Sequence, residues 1–347
     1  MHGFINKHLM QRSLLSYLLY PFSLINQLIA RLRRATYSLV QKEIDGVILI
    51  CIGNISSGGT GKTPFVIFLA QQLLARDYRI AIVSRGYKGN FEKSNHIISD
   101  YQGVRKCALN AGDEPYMIAN RLKNVPVVVG KDRLKSIDLL LRELSKPDII
   151  IFDDAFQYLK IKYDYKFLVF NGESPIGNGF VLPAGILREP LSFVKKSDYI
   201  VYNSYTEIPG FLKTFDKPTL RLQYRITNLS GLSLNELAIK RIALLSAIGT
   251  PKAFEKTVEK AELSFVKHFI YPDHYAFDDI TELQRIKSII QREKIDYLIC
   301  TEKDSVKLSK VNHQLPIIIA YADFVLDTDD QIVLNSFLDS LQKGKEN

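Results

Sequence analysis

From residue 46 onward, apolar residues come in short, nearly continuous runs separated by stretches of helical periodicity. Strands that are apolar on both faces and alternate with helices are typical of a parallel sheet covered on both sides. The pattern therefore predicts an α/β fold with a parallel sheet at its core. The predicted strands are 46–53, 79–84, 125–130, 148–154, 166–170 and 198–203, and the predicted helices are 63–75 and 131–144.

The alternation is interrupted between residues 205 and 235, where Pro209, Gly210 and Pro218 lie among polar residues. Within this stretch, residues 220–230 alternate apolar and polar positions, which is typical of an antiparallel strand. A second α/β series follows, with strands at 241–249, 265–271, 295–301 and 315–322 and helices at 251–262 and 281–293. We therefore expect a helical N-terminal segment (1–45), a main domain (46–210), a connection (211–235) and a smaller α/β domain (236–347).

Near the N-terminus, six apolar residues recur at helical spacing and three arginines follow them. The apolar run 14–30 is shorter than the roughly 20 residues that span a bilayer, and it is followed by basic residues where a signal peptide would be cleaved. The pattern fits an amphipathic helix on an anionic membrane and, equally, a helix packed on its own domain. The residues are Leu14, Leu18, Phe22, Ile25, Ile29 and Leu32, then Arg31, Arg33 and Arg34.

The composition adds a basic charge to this picture. The 347 residues carry 46 Lys and Arg against 37 Asp and Glu, a net charge of +9 that favours anionic partners without choosing among them. The three cysteines, Cys51, Cys107 and Cys300, are widely spaced and form no C-x-x-C pair. A disulfide framework or a zinc site is therefore not expected, and a reducing cytoplasm fits.

The segment GNISSGGTGKTP (53–64) follows a predicted strand and opens a predicted helix, which is the context of a phosphate-binding P-loop. Glycines let backbone N–H groups approach phosphate oxygens, and the helix N-terminus adds positive potential. We expect Lys62 to reach the transferred phosphate and the Thr63 hydroxyl to ligate Mg²⁺. The strict pattern has glycine where this chain has Ser56. The predicted ATP-binding residues are Ser56, Ser57, Gly58, Gly59, Thr60, Gly61, Lys62 and Thr63.

Acidic residues near this loop are the candidates for metal binding and proton transfer. Asp153 and Asp154 end an apolar strand, which beside a P-loop indicates the Walker-B arrangement that holds Mg²⁺. Asp113 follows Gly112 and precedes Pro115, so the residues alone favour Asp113 as the N-cap of a helix, with Pro115 in the first turn. The lone His274 is more often structural than catalytic.

Read in order, seven short motifs resemble those of the tetraacyldisaccharide 4′-kinases of lipid A biosynthesis. They extend over most of the chain, and GDEP, LREP and TEKD in this order are specific, whereas the P-loop alone is shared by many families. The motifs are GNISSGGTGKTP, SRGYKG (84–89), GDEP (112–115), DDAFQ (153–157), LREP (187–190), PDH (272–274) and TEKD (301–304).

This resemblance implies a kinase that moves the γ-phosphate of ATP, with Mg²⁺, to the 4′-hydroxyl of a tetraacyldisaccharide 1-phosphate and so gives the bisphosphorylated lipid A precursor, lipid IVA. It implies a P-loop NTPase-type sheet in a kinase domain at 46–210 and a peripheral position at the cytoplasmic face of the bacterial inner membrane. The N-terminal helix and the basic charge fit an acceptor held in an anionic bilayer. The expected partners are the lipid disaccharide and the membrane surface, with no nucleic acid, and a monomer is expected.

Carried over residue by residue, the resemblance implies Asp113, His274 and Lys62 as catalytic residues, with Asp113 as the base and His274 of the second domain as its partner. It implies Thr63, Asp153, Asp154 and Glu114 as metal ligands. Arg85 and Arg188 are candidates for phosphate or acceptor contacts, with surface salt bridges as the alternative. For TEKD no role follows beyond an ion pair of Glu302 and Lys303 across the domain interface.

The chain departs from the family pattern in two motifs. After the two aspartates the family usually reads Gly-Leu-Gln-His, whereas this chain has Ala155, Phe156, Gln157 and Tyr158, and Lys88 stands where the family usually has Gly. Two rival functions remain. A membrane-targeting P-loop ATPase of the positioning or partitioning class would need a second signature lysine, and this chain has Ser57 there. A non-enzymatic membrane-binding module would lose only stability on Lys62→Ala.

Overall fold

The structure is a computed structural model that describes residues 8–105, 107, 110–273, 275–309, 311 and 314–343. Contacts between residues group the chain into two compact units, residues 1–223 with 326–347 and residues 224–325. The division expected from the sequence assigns the last residues to the second domain, whereas the contacts group 326–347 with the first unit.

Thirteen strands and ten α-helices are found in the described part of the chain. The strands are β1 (Ile48–Gly53), β2 (Ile80–Ser84), β3 (His96–Asp100), β4 (Gly103–Val104), β5 (Val127–Val129), β6 (Ile149–Phe152), β7 (Tyr165–Asn171), β8 (Tyr199–Asn203), β9 (Thr219–Leu229), β10 (Ile242–Ser246), β11 (Phe265–Ile270), β12 (Tyr297–Thr301) and β13 (Ile317–Leu326). The helices are α1 (Leu14–Tyr37), α2 (Lys62–Leu74), α3 (Asp113–Arg121), α4 (Arg133–Glu143), α5 (Gly210–Lys213), α6 (Leu234–Ala238), α7 (Pro251–Lys260), α8 (Ile280–Arg292), α9 (Glu302–Leu308) and α10 (Thr328–Lys343), with a 3₁₀ helix at Leu191–Lys196.

In the first unit the strand order is β9-β8-β7-β1-β6-β2-β5-β3-β4. The pairs from β9 to β5 are parallel, and β3 pairs antiparallel with β5 and β4. The predicted parallel α/β core is thereby confirmed. Strand β6 lies between β1 and β2, so the segments that follow these three strands leave the same edge of the sheet side by side.

The parallel strands are buried because both of their faces are apolar. Every residue of β2 and β6 is buried, and on β1 only Ile48 is partly exposed. Helix α2 packs on this sheet through its own apolar side, where the ring of Phe65 lies 5.4 Å from that of Phe167. Burying each such side chain contributes roughly 1.5–3 kcal/mol to folding. The sheet therefore gives the loops at its carboxyl edge a rigid base.

The second unit contains strands in the order β11-β10-β12-β13-β9, and the first three pairs are parallel. Over residues 219–222, within the first unit, β9 pairs parallel with β8. Further along β9, Thr227 bonds to Asp323 and Ser230 to Ile319, so β9 and β13 run in opposite directions, as the alternation at 220–230 predicted.

Helix α1 packs on the first unit through polar residues. Ser23 is buried, and its hydroxyl donates a hydrogen bond to the Val181 carbonyl at 2.6 Å. The Asn26 amide donates to the Leu182 carbonyl at 2.8 Å. The apolar stripe points outward instead, with Leu14, Leu18, Phe22, Ile25, Ile29 and Leu32 between 49% and 78% exposed. Of the helices in the described part of the chain, none is long and apolar enough to cross a bilayer.

Candidate active site

The glycine-rich loop connects β1 to α2, and hydrogen bonds within the loop fix its conformation. Gly61 caps α2 with a φ of 86°, a left-handed conformation that favours glycine. The buried side chain of Asn54 donates to the Ser56 carbonyl at 2.7 Å and to the Thr60 hydroxyl at 3.2 Å. Asn54 lies inside the GNISSGGTGKTP motif but is not among the predicted site residues. It fixes the turn from which the backbone amides of the loop emerge.

The LREP segment closes one side of the loop. The backbone amide and hydroxyl of Ser57 both donate to the Ile186 carbonyl, at 2.8 and 3.0 Å, and the Arg188 amide donates to the Ile55 carbonyl at 2.7 Å. Ser57, the residue at the position of the signature lysine of partitioning ATPases, is therefore used to fasten the loop. The two motifs lie more than a hundred residues apart in sequence yet form one piece of structure.

Asp153 and Asp154 lie where the carboxyl end of β6 meets this loop. One oxygen of Asp153 is 3.4 Å from the Thr63 hydroxyl and 3.5 Å from that of Ser84, and both hydroxyls are donors. Its other oxygen is buried and accepts no hydrogen bond from any described residue. The structure thus brings the predicted Thr63 and Asp153 together and leaves a carboxylate oxygen directed at no protein donor.

Asp154 is surrounded by basic side chains. The Lys62 ammonium is 3.5 Å from one carboxylate oxygen and the Arg188 guanidinium 3.5 Å from the other. Arg133, which the sequence analysis did not select, is buried and donates to the Asp154 carbonyl at 3.4 Å. Its only sequence signal is its position just after the strand at 125–130. Predicted residues Lys62 and Arg188 therefore meet at one carboxylate.

The two aspartates have opposite pKa shifts although they are neighbours. Burial raises the pKa of Asp153 to about 7, and the negative charges of Glu114 and Asp154 add to this effect. Burial also acts on Asp154, but the charges of Lys62 and Arg188 outweigh it and lower the pKa of that carboxyl. Asp154 is therefore ionised at neutral pH, whereas Asp153 gains most from an added positive charge.

Helix α3 begins at Asp113, so the expectation that Asp113 is the N-cap is wrong by one residue. Gly112 is the N-cap residue instead. Its φ of 98° is a conformation that favours glycine, and no side chain caps the helix. Asp113 and Glu114 occupy the first turn, with Pro115 after them as predicted. Relieved of the capping role, Asp113 remains a candidate for chemistry, and Glu114 acts electrostatically on Asp153.

Arg85, the other predicted substrate contact, forms an ion pair with Glu92 at 2.7 Å and lies over the ring of Tyr87. Lys88 adopts a φ of 59°, a conformation that favours glycine, which accounts for the usual glycine at this position; nothing in the structure explains the lysine. The Tyr158 hydroxyl donates to Asp132 at 2.9 Å, so a tyrosine here supports the start of α4.

In the second unit, TEKD forms the start of α9. Thr301 caps the helix by accepting from the Asp304 amide, and the buried Asp304 carboxylate pairs with Lys307 at 2.8 Å. Lys303 lies 3.5 Å from Asp273 of the PDH motif, within the same unit. His274, the predicted catalytic histidine, lies outside the described residues.

The chain is similar to known proteins over most of its length. The family model for tetraacyldisaccharide-1-P 4′-kinase matches residues 15–343. A tetraacyldisaccharide 4′-kinase of Pelobacter propionicus is 34% identical over 87% of this chain and 85% of its own length. That of Geobacter metallireducens is 36% identical over 78% of this chain and 82% of its own length.

A solved structure agrees with these sequence matches. The structure of LpxK from Aquifex aeolicus in complex with ATP superposes with a TM-score of 0.73 at 29% identity, covering 93% of this chain and 99% of that one.

The opposite shifts at the two aspartates lead to a stability prediction. Asp153→Asn should stabilise the metal-free protein at pH 8 by roughly 1–4 kcal/mol, because it removes a buried carboxylate charge. The folded pKa near 7 lies above the ordinary value of 3.8. Between these two pH values the folded state therefore binds a proton that the unfolded state has released. The stability of the wild-type protein falls as the pH rises through this range. The gain from Asp153→Asn should accordingly shrink as pH falls from 7 towards 4.

Urea denaturation at several pH values, without nucleotide or metal, measures this effect. Asp154→Asn is the matched control, since it removes a carboxylate whose ion pairs stabilise its charge, and it should lower stability at pH 8. An Asp153→Asn variant that is less stable than wild type at every pH would contradict the prediction.

Proposed function

Since the chain belongs to the tetraacyldisaccharide 4′-kinase family, and is an ATP-dependent kinase of that family, we propose which of its residues carry out phosphoryl transfer and where it works. The acceptor that the family implies is a lipid disaccharide. The observation that carries the residue assignment is the convergence of the phosphate loop, Asp153, Asp154 and Arg188 at one edge of the sheet. The rival function of a partitioning ATPase is not favoured by the family match.

We assign ATP phosphates to the loop from Ser56 to Thr63. Backbone amides of a glycine-rich turn and the N-terminus of α2 favour anions. The Lys62 ammonium is largely buried beside Asp154, which holds it at the loop. Phosphoryl transfer builds charge on the migrating group, so a fixed ammonium there lowers the barrier. Arg188 is proposed to support the same phosphates, and Arg85, held by Glu92, to contact the acceptor.

The residues present fit Mg²⁺. The ion prefers oxygen ligands and is usually held by one or two carboxylates together with substrate phosphates. Thr63 and Asp153 offer such oxygens, and Asp153 has a buried oxygen without a donor. Within the described residues no group of three or more His, Cys, Asp or Glu side chains is arranged to hold a metal, so phosphates would complete the shell. When bound, Mg²⁺ would neutralise charge on the phosphates, with Asp154 and Glu114 close enough to act on it electrostatically.

For proton removal from the acceptor hydroxyl we propose Asp113 as general base and His274 as the second acid–base group. A sugar hydroxyl is a poor nucleophile at neutral pH and needs a base within hydrogen-bond reach. Asp113 lies in the first turn of α3, next to Glu114, whose charge reaches Asp153. The family motifs GDEP and PDH carry the assignment to these two residues.

We also propose that α1 attaches the protein to the cytoplasmic face of the inner membrane. The helix turns its serines towards its own unit and its apolar stripe outward, which is the reverse of a helix that packs by hydrophobic burial. Such a stripe is stabilised when its apolar side chains are buried among lipid acyl chains. Arg31 and Arg33 at its end add attraction to anionic headgroups. The lipid acceptor would then lie in the same surface as the helix.

Loss of the phosphate-loop lysine gives the direct test of kinase chemistry. Lys62→Ala should lower kcat by about a thousandfold or more, because no other ammonium replaces its charge in the transition state. The assay follows label from γ-labelled ATP into a tetraacyl disaccharide 1-phosphate, with circular dichroism to check folding. A folded Lys62→Ala enzyme with near-normal transfer would exclude this role.

The role of Asp113 can be separated from a helix-terminal role. Asp113→Asn should lower kcat about 100-fold or more while the KM for ATP stays nearly constant. Adding His274→Ala should make it scarcely worse than the weaker single variant, since groups that act as a unit are not additive. Asp279→Asn is the control, because Asp279 caps α8 through its side chain and should tolerate the exchange. Near-normal turnover by Asp113→Asn would reject the base.

Membrane attachment is tested by changing only the exposed stripe. Replacing Leu18, Phe22, Ile25 and Ile29 by glutamine should reduce binding to anionic vesicles at least tenfold and raise the KM for lipid far more than that for ATP. Vesicle flotation and kinetics measure both. Glutamine at Ile239 of the second unit, which is more exposed than any of these four, is the control. Unchanged flotation of the fourfold variant would show that the stripe does not bind lipid.

A further inference from the structure

Arg34 in the last turn of α1 differs from the other arginines at this end of the helix. Arg31 and Arg33 are exposed, whereas the Arg34 side chain is only 15% exposed. Its guanidinium makes two parallel hydrogen bonds to Glu189, from Nε at 3.0 Å and from Nη2 at 2.8 Å. This forked geometry is the strongest form of an arginine–carboxylate pair. Arg34 is therefore fixed inside the first unit and is not part of a mobile basic surface.

Aromatic rings and a carbonyl hold the same guanidinium. It lies 4.4 Å from the ring centre of Phe156 and 4.8 Å from that of Phe193, and its Nη2 donates to the Phe156 carbonyl at 3.1 Å. Phe156 belongs to the DDAFQ motif, two residues after Asp154. A planar guanidinium suits this site because it can stack and hydrogen bond at once, which a lysine ammonium cannot.

The contacts continue from Glu189 to the phosphate loop. The Gln157 amide donates to Glu189 at 3.0 Å and to the Asn54 carbonyl at 2.7 Å. Asn54 in turn holds the Ser56 carbonyl and the Thr60 hydroxyl. An unbroken series of hydrogen bonds thus runs from α1 through LREP and DDAFQ into the loop.

We propose that Arg34 is a positioning residue for the ATP site, which acts through Glu189 and Gln157 on the phosphate loop. Without the fork, Glu189 would be a buried carboxylate with one neutral donor, and it would draw Gln157 away from the Asn54 carbonyl. The loop would then lose a restraint on the turn that presents its amides. The proposal rests on the proposed ATP-binding role of the loop, and it does not depend on membrane attachment.

Arg34→Lys tests this link, since it keeps the positive charge at the end of α1 and removes only the fork and the stacking. We expect the affinity for Mg²⁺·ATP, titrated calorimetrically without lipid, to fall about five- to tenfold, and kcat in mixed detergent micelles to fall about tenfold or more. The KM for the dispersed lipid should stay within about threefold. Binding to anionic vesicles should be unchanged, because the charge is retained.

Two further variants complete the experiment. Arg142→Lys is the matched control, because Arg142 pairs with Glu143 on an exposed face of the same unit, and it should bind ATP normally. Glu189→Gln breaks the same link from its other side with nearly the same shape, so it serves if Arg34→Lys fails to fold. The double variant should be no worse than the weaker single one.

A folded Arg34→Lys protein with wild-type ATP affinity and turnover would overturn the proposal. Fully additive losses in Arg34→Lys/Glu189→Gln would also overturn it, since they would show independent roles. A merely structural role of Arg34 predicts a lower melting temperature with unchanged ATP affinity of the folded fraction. Failure of the loop assignment itself would appear separately, as normal phosphoryl transfer by Lys62→Ala.

Discussion

Two consecutive carboxylates lie at the end of β6, Asp153 buried and Asp154 partly buried, where water stabilises their charge only poorly. Burying an ionised carboxylate costs several kcal/mol unless cations or hydrogen bonds replace the lost hydration. Asp154 is compensated by Lys62 and Arg188, and this compensation fixes the lysine of the phosphate loop and the arginine of LREP. Asp153 is left short of positive charge. The site is therefore built around an electrostatic deficit that nucleotide-bound metal is suited to correct.

The parallel sheet and the phosphate loop could be predicted from the sequence because each rests on local signals. Apolar runs of five or six residues can be buried only between two covered faces, and a strand followed by glycines and a helix has few alternatives. The short strands β3 and β4 and the helix α9 were not predicted, since their segments are brief and half polar. The alternation along β9 predicted its antiparallel neighbour β13, but not the parallel pairing of its first residues with β8.

Within the site, the sequence motifs pointed to the residues proposed to contact substrate. They gave less information on the residues that hold those side chains in place. Lys62, Thr63 and Asp153 belong to patterns whose chemistry is recognisable from spacing alone. Arg34 and Gln157 both contact Glu189, from which they are separated by 155 and 32 positions in the sequence. No local pattern encodes such pairing. At Lys88 the backbone is left-handed, as the family's usual glycine would favour, although the residue itself is a lysine.

The exposed apolar stripe of α1 bears on which measure of acceptor concentration would set the reaction rate. If the proposed attachment holds, the exposed stripe of six apolar side chains would concentrate the protein at the boundary between water and lipid. If that boundary also carries the acceptor, the encounter becomes a search in two dimensions by lateral diffusion. The acceptor's mole fraction in the surface, and not its bulk molarity, would then set the rate at which the sugar hydroxyl reaches the buried aspartates.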